Sequence, residues 1–373
     1  MDFGIMFFSS AGQNADGDKY RLLLEAARFA DAHGFRCVWT PERHFHQFGG
    51  LFPNPSVTAA ALSTITSNLQ IRAGSLISPL HNPIRITEEW SVVDNLSGGR
   101  VAVSFGSGWN VNDFIFFPER YATRQAIMYE QVEMVKKLWR GEPLRQTNSL
   151  GKEVEVSLYP KPLQRELPIW ITSSGNAETF ASAGAIGANV LTHLIGQDIA
   201  TLSDKIQRYR DSRAGHGFDP RQGIVSLMLH TYMGPDTESV REKVRTPFRE
   251  YLRSAISLEE QAARSGGVIS GGHRIEAHDI PRDVLEDLLD LTFERYFRTA
   301  SLMGTVADCR ELVWQLKEIG VDEIACLIDF LDDDEAILES LRYVDELRRL
   351  FSTQTIAQQA RAAVLSFTEE LED

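Results

Sequence analysis

Cysteine is scarce in this chain. There are three in 373 residues, Cys37, Cys309 and Cys326, an odd number at wide spacing, two of them inside apolar runs. That excludes a disulfide framework and a paired-cysteine metal site, and it leads to the expectation of reduced thiols in a cytoplasmic protein. Positive charge is also short: 38 Lys and Arg against 52 Asp and Glu leave a formal net charge of −14. A surface of that sign repels phosphate, so nucleic acid and anionic membrane are not expected as bulk partners. No apolar stretch approaches the ~20 residues of a spanning helix, and the opening MDFGIMFFSSAG has no basic segment and turns polar after eight residues. Low-complexity tracts and short internal repeats are missing. The common catalytic templates are absent as well: no G-x-S-x-G elbow, no phosphate loop of the G-x-x-x-x-G-K type, no H-E-x-x-H, and no lysine at an expected strand end.

What is present is alternation. Apolar, β-rich runs at 3–8, 35–40, 69–77, 99–106, 167–174, 187–193, 223–234 and 321–330 are nearly all separated by helix-length amphipathic stretches. The first helical pattern, 18–33, places Leu22, Leu23, Ala26, Ala27, Phe29 and Ala30 on one face and stops at Gly34. Strands that alternate with helices make a parallel sheet with crossover helices. Eight units in a 43% apolar chain of this length, with no sign of a topological switch point or a second domain, predict an α/β fold of the (β/α)8 TIM-barrel type. Residues 1–350 are expected to form one domain and 351–373 a helical tail. Two segments exceed a bare barrel. Residues 141–166 read as a small β excursion, with KEVEVSLY alternating at period two. Within an insertion at about 250–295, the Gly-rich stretch 264–281 reads as a lid or a plain loop.

In such a barrel the loops at the C-terminal strand ends build the site. The second strand ends in PERHFHQFGG, 41–50, which offers Glu42, Arg43, His44 and His46. A metal is not expected there, because His44 and His46 at i and i+2 of an extended segment face opposite ways. Glu42 with Arg43 suits a paired cluster, which leaves His44 as a proton-handling group. The fourth strand ends in FGSGWNVNDF, 105–114, which lacks the third glycine of a dinucleotide fingerprint. The fifth ends in SSGNAE and runs straight into a helix, so Ser173, Ser174 and the amides of Gly175 and Asn176 suit an anion, while Ser174 or Asn176 equally suits a plain N-cap. Anion loops without an embedded nucleophile point to a bound cofactor that carries the chemistry.

These stretches resemble a family. FGIMFF, the PERHF segment, NPSVTAAALS at 54–63, the block from Arg72 to Trp109 and GTVADC at 304–309 are together similar to the bacterial luciferase-like flavin-dependent monooxygenases. The ERHF form with FGSGWNVNDF is most similar to the branch that acts in polyketide and nonribosomal-peptide pathways. The resemblance implies a barrel that binds reduced FMN, delivered by a separate flavin reductase, with dioxygen as co-substrate. It implies hydroxylation of an acyl or aminoacyl small molecule, free or tethered to a carrier protein, and a homodimer paired through the helices after strands two and three. It places a cis peptide at Gly74–Ser75 beside the flavin ring, the phosphate at Ser173, Ser174 and Gly175 with Trp109 and Asn110 nearby, and Thr192 and His193 at the edge of the ring pocket. Glu42, Arg43, His44 and His193 become the catalytic set. One departure stands out: bacterial luciferase has two histidines after its glutamate, whereas here Arg43 takes the first position and His44 the second, so light emission is not expected. The same barrel also hosts deazaflavin-dependent reductases and dehydrogenases, and flavin-binding subunits without turnover. For carrier docking, RYRDSRAGHGFDPR, 208–221, is the one basic stretch, with an exposed helix end as the alternative reading.

Overall fold

The structure is a computed structural model and describes residues 1–8, 18–264 and 282–352. The expected lid at 264–281 lies outside the described residues except for Arg264, and the expected tail at 351–373 lies outside them except for Phe351 and Ser352.

In chain order the elements are β1 (Asp2–Met6), α1 (Arg21–His33), β2 (Cys37–Thr40), α2 (Pro55–Ser63), β3 (Gln70–Ile77), α3 (Pro83–Ser97) and β4 (Val101–Gly106). They continue with α4 (Arg124–Trp139), β5 (Leu144–Thr147), β6 (Glu153–Val156), β7 (Ile169–Thr172), α5 (Ala177–Ala185), β8 (Asn189–His193) and α6 (Ile199–Gly215). The last third holds β9 (Val225–Met233), α7 (Thr237–Arg264), α8 (Arg282–Thr299), β10 (Leu302–Gly304), α9 (Val306–Glu318), β11 (Glu323–Leu327) and α10 (Asp334–Leu350).

Strands β1, β2, β3, β4, β7, β8, β9 and β11 pair in that order, all parallel, and β11 pairs back onto β1, which closes a (β/α)8 barrel. Residue by residue the ring runs Ile5 opposite Val38, Val38 opposite Ile71 and Ile71 opposite Val101. Local chemistry fixes the boundaries of the helices around it. Asn54 and Asn82 accept the Ser56 and Ile84 amides at the starts of α2 and α3, and Thr305 with Asp308 forms a capping box on α9. Gly34 and Gly98 take left-handed conformations that end α1 and α3.

The lower barrel is filled by a polar plug. Arg72, completely buried, lies between the rings of Trp39 and Trp170 and bonds Glu323 at 2.8 Å. Ser226 donates to the same Glu323 oxygen at 2.8 Å and accepts from Trp170 Nε1 at 3.1 Å. Arg72, Glu323, Ser226 and the Trp170 indole are linked in one chain of hydrogen bonds, so the two buried charges are compensated. Arg72 and Glu323 lie near the starts of β3 and β11, so this end of the barrel is shut.

The β excursion is an antiparallel hairpin of β5 and β6. The chain that follows it is tied to α3 by Asp94, which accepts the Leu163 and Gln164 amides and the Gln164 side chain. Beyond the expected eight strands, β10 adds to the far end of β9, Leu302 opposite Thr231.

Candidate active site

The segment after β2 is organised by one carboxylate. Glu42 is buried; its Oε2 accepts the Ile77 amide at 2.7 Å, and its Oε1 lies 2.9 Å from Nε2 of His44 and 2.6 Å from Nε2 of His81. Burial pushes its pKa up, but the bonds from His44, His81 and Ile77 outweigh that and hold it below the usual value. An ionised carboxylate only accepts, so both imidazoles present Nε2–H to it, which leaves Nδ1 of His44 as the nitrogen that faces away from Glu42. Burial opposes the charged form of His81, yet the Glu42 bond and charge raise its pKa. The next residue, Phe45, sits at φ 54°, an unfavourable conformation for a bulky side chain, with its ring 62% exposed at the rim. His46 is committed elsewhere, accepting the Phe48 amide at 3.0 Å.

The expected pairing of Glu42 with Arg43 is corrected by this arrangement. Adjacent residues of an extended loop point apart, and Arg43 stacks its guanidinium over Phe8 at 4.6 Å and Phe48 at 5.1 Å. It forms no ion pair among the described residues.

At the end of β3, the Gly74–Ser75 peptide is cis, as the resemblance implied. Gly74 backs directly onto Trp39, where a Cβ would come within 2.8 Å of the indole. Beyond β4, Asn110 accepts the Asn112 amide at 3.1 Å as cap of a 3₁₀ turn over Val111–Phe116, and donates to Asp113 at 2.9 Å. Trp109 is half-buried, and its carbonyl accepts from the Tyr121 hydroxyl at 3.3 Å. Asp113 is buried, and burial lifts its pKa to about 6 against the opposing charges of His44 and Arg43. Neither Asp113 nor His81 was singled out from sequence. The available signal was a lone acid followed by FIFF at a strand tip, and a histidine directly ahead of a capped helix.

A second sector of the rim follows β7 and β8. Ser173 donates its amide to Leu191, and its hydroxyl lies 3.4 Å from the Gly175 amide; Ser174 follows on the same turn. Gly175 has φ 111°, and Asn176, not Ser174, is the N-cap of α5, accepting the Glu178 amide at 2.9 Å. A Cβ on Gly175 would lie 3.4 Å from Nζ of Lys205, which donates to Gln197 at 2.7 Å. A helix N-terminus, a glycine without a covering side chain and an amine therefore share one place, a combination that suits an anion. Lys205 sits mid-helix in α6, where no sequence rule marks it. Thr192 is buried, and its Oγ1 has no partner. His193 Nδ1 accepts the Ile195 amide at 3.1 Å, and burial lowers its pKa to about 4, so it is neutral at physiological pH. On the neighbouring strand, His230 is lowered by burial to about 3.

Three of the four arginines of the basic stretch at 208–221 are engaged within the chain, and Arg221 is exposed. Arg213 is buried and bonds the Ala188 and Asp219 carbonyls, Arg210 bonds the Pro220 and Gly223 carbonyls and Asp322, and Arg208 pairs with Glu178.

A barrel closed at one end, with a glutamate–histidine cluster, a cis peptide and an anion turn at the ends of β2, β3 and β7, is joined by a match to a family profile. The luciferase-like monooxygenase profile matches residues 1–323. The chain belongs to this family. Its members are flavin-dependent monooxygenases, so the protein is an oxidoreductase of that kind. It is similar to the FMNH2-dependent dimethylsulfone monooxygenase of Pseudomonas putida, 25% identical over 347 residues that cover 91% of this chain and 89% of the relative. In fold it is similar to the oxygenating constituent of 3,6-diketocamphane monooxygenase from the CAM plasmid of Pseudomonas putida, solved with FMN, with a TM-score of 0.72 at 17% identity over 93% of this chain and 97% of that one. An F420-dependent secondary alcohol dehydrogenase shares the fold at a TM-score of 0.68 and 19% identity, over 93% and 99% of the two chains. Among the described residues, no helix is long and apolar enough to cross a membrane.

Proposed function

We propose that the protein is the oxygenase component of a two-component flavin system: it takes reduced FMN from a separate reductase and uses dioxygen to hydroxylate a small acyl or aminoacyl molecule in natural-product biosynthesis. The observation that carries this reading is the β7–α5 turn, where Gly175, the α5 N-terminus and Lys205 suit a phosphate, next to the unpartnered Thr192 hydroxyl and along the rim from the Gly74–Ser75 ledge. A buried polar atom without a partner is costly unless a ligand satisfies it, and Thr192 Oγ1 is such an atom on the strand tip that the resemblance assigns to the ring pocket.

In this reading Ser173, Ser174, Gly175 and Lys205 hold the phosphate, while Gly74, Ser75, Trp109, Asn110 and Thr192 border the ring. Bound reduced FMN supplies the two electrons that activate dioxygen. The chain itself excludes water and manages protons. His44 is oriented by Glu42 so that Nδ1 receives or returns a proton, and His81 keeps Glu42 ionised. His193, neutral and tied to the Ile195 amide, serves as a fixed wall more than as an acid. The rings of Phe45 and Phe116, 5.5 Å apart, and of Phe116 against His44 at 5.1 Å form an apolar lip.

The natural-product assignment rests on the ERHF and FGSGWNVNDF segments. Three of the four arginines of 208–221 are engaged within the chain, which leaves little basic surface for carrier docking, and the substrate is read as a free small molecule. FMN is favoured over a deazaflavin because the relative that covers nine-tenths of this chain is FMNH2-dependent, whereas the F420 enzyme shares the fold alone. A homodimer is supported by Val57 on α2 and Val92 and Leu96 on α3, large apolar side chains left exposed on two helices that pack together. The function is tested by mixing the purified protein with reduced FMN, a flavin reductase and candidate acids under air. Substrate-dependent oxygen uptake with a product 16 mass units heavier is expected, and oxygen uptake without any oxygenated product across the substrates would contradict it.

A further inference from the structure

Arg43, Tyr251 and His230 are three buried polar side chains with no side-chain hydrogen bond among the described residues, and they surround one corner of the barrel mouth. Arg43 is 9% exposed, Tyr251 6% and His230 2%. Ring contacts join them: Arg43 lies over Phe48 at 5.1 Å, Phe48 meets Tyr251 at 5.2 Å, and Tyr251 meets His230 at 4.4 Å. Phe8, Phe248 and Phe330 complete an aromatic wall. The Nε of Arg43 and the Nε2 of His230 are fully buried without a partner.

A guanidinium cannot shed its proton, so burial leaves a charge that needs an acceptor. Two carboxylates lie close enough to act on it, yet neither pairs with it: Asp329 accepts the Phe8 amide on both oxygens at 3.0 Å, and Asp113 is bonded by Asn110. Phe8 and Phe48 occupy the guanidinium faces, which leaves its edge, a fork of N–H donors matched to a planar carboxylate. The Tyr251 phenol stays protonated, since burial raises its pKa far above neutrality, and so remains a donor too. The corner is rich in donors, poor in free acceptors and walled by rings.

We propose that this corner is the substrate's anchor: Arg43 and Tyr251 grip a free carboxylate whose apolar tail lies along Phe8, Phe48, Phe248 and Phe330. The proposal names the substrate class for the hydroxylation read above and rests on that reading for the reaction, though not for the binding. It also requires that this end of the substrate be a free acid, since a thioester or amide carries no countercharge.

The test uses the full-length chain without flavin. Octanoate and benzoate, each beside its primary amide, are titrated by calorimetry into the wild type, Arg43→Gln and Tyr251→Phe. At least one acid is expected to bind about tenfold or more tightly than its amide, with that preference lost in Arg43→Gln and reduced in Tyr251→Phe, while FMN binding, followed by flavin fluorescence, stays at the wild-type level. Equal binding of acids and amides, no binding of either acid, or an acid preference that survives Arg43→Gln overturns the proposal. The acid-against-amide comparison in the wild type needs no variant to fold. Because flavin is absent, the carboxylate result stands or falls separately from the FMN reading.

Discussion

Asp113 changes its charge near pH 6, within reach of His44, Arg43 and Glu42. Its folded pKa lies above the ordinary value of 3.8, so the unfolded chain releases the proton first as pH rises. Stability is therefore lost as pH climbs from about 4 to about 6 and stays lower above that window. Asp113→Asn keeps the acceptor for Asn110 and removes the charge, so it is expected to match the wild type at pH about 4 and to exceed its stability above pH 6 by at most about 3 kcal/mol, from roughly two pKa units. Urea unfolding of both proteins across that range checks this, and a difference that does not change with pH would contradict it. The residue scale also shows what sequence could carry. Glu42 and His44 stood out because unlike polar groups crowded one strand end, whereas His81, Asp113 and Lys205 gained their roles from groups distant in sequence: Glu42 for His81, His44 and Arg43 for Asp113, and the Gly175 turn for Lys205. The side-chain direction of Arg43 likewise depended on Phe8 and Phe48 closing around it, which local spacing cannot express.

Helices α5 and α6 meet at Gly184, where a Cβ would lie 2.6 Å from the Tyr209 carbonyl and 2.9 Å from Ser212 Cβ. This contact sets how the β7–α5 turn faces Lys205, so a packing requirement on the outside of the barrel reaches the anion site. Gly184→Val is expected to destabilise the protein by about 2 kcal/mol, as overpacking against backbone does, and to weaken FMN binding. Thermal and chemical denaturation with a flavin titration check it; a variant as stable as the wild type would show that the helices separate freely. The barrel strands were legible because parallel strands buried on both faces read as unbroken apolar runs. Seven of the eight barrel strands lie inside their expected runs, and β1 starts one residue early at Asp2. β10, at three residues, is too short for any period, and its place at the end of β9 is decided by tertiary pairing. α8 and α9 follow the Gly-rich stretch, and the sequence reading did not resolve them as separate elements.

At the scale of the molecule, the plugged lower barrel directs all chemistry to one rim, and the exposed Val57, Val92 and Leu96 lie on the α2 and α3 side. Val57→Asp combined with Leu96→Asp is expected to convert a dimer to a monomer in size-exclusion chromatography with light scattering. A wild type that is already monomeric would contradict the dimer. The barrel type followed from eight alternating units, while the closing order, the plug and the cluster at Glu42 depended on contacts across the whole chain. The most direct measurement is the affinity of the protein for reduced FMN under anaerobic conditions, beside reduced riboflavin and reduced F420. The account predicts micromolar FMN binding and a loss of about tenfold or more for riboflavin, which lacks the phosphate proposed to sit at Gly175 and Lys205. Equal affinity for FMN and riboflavin, or preference for F420, would contradict it.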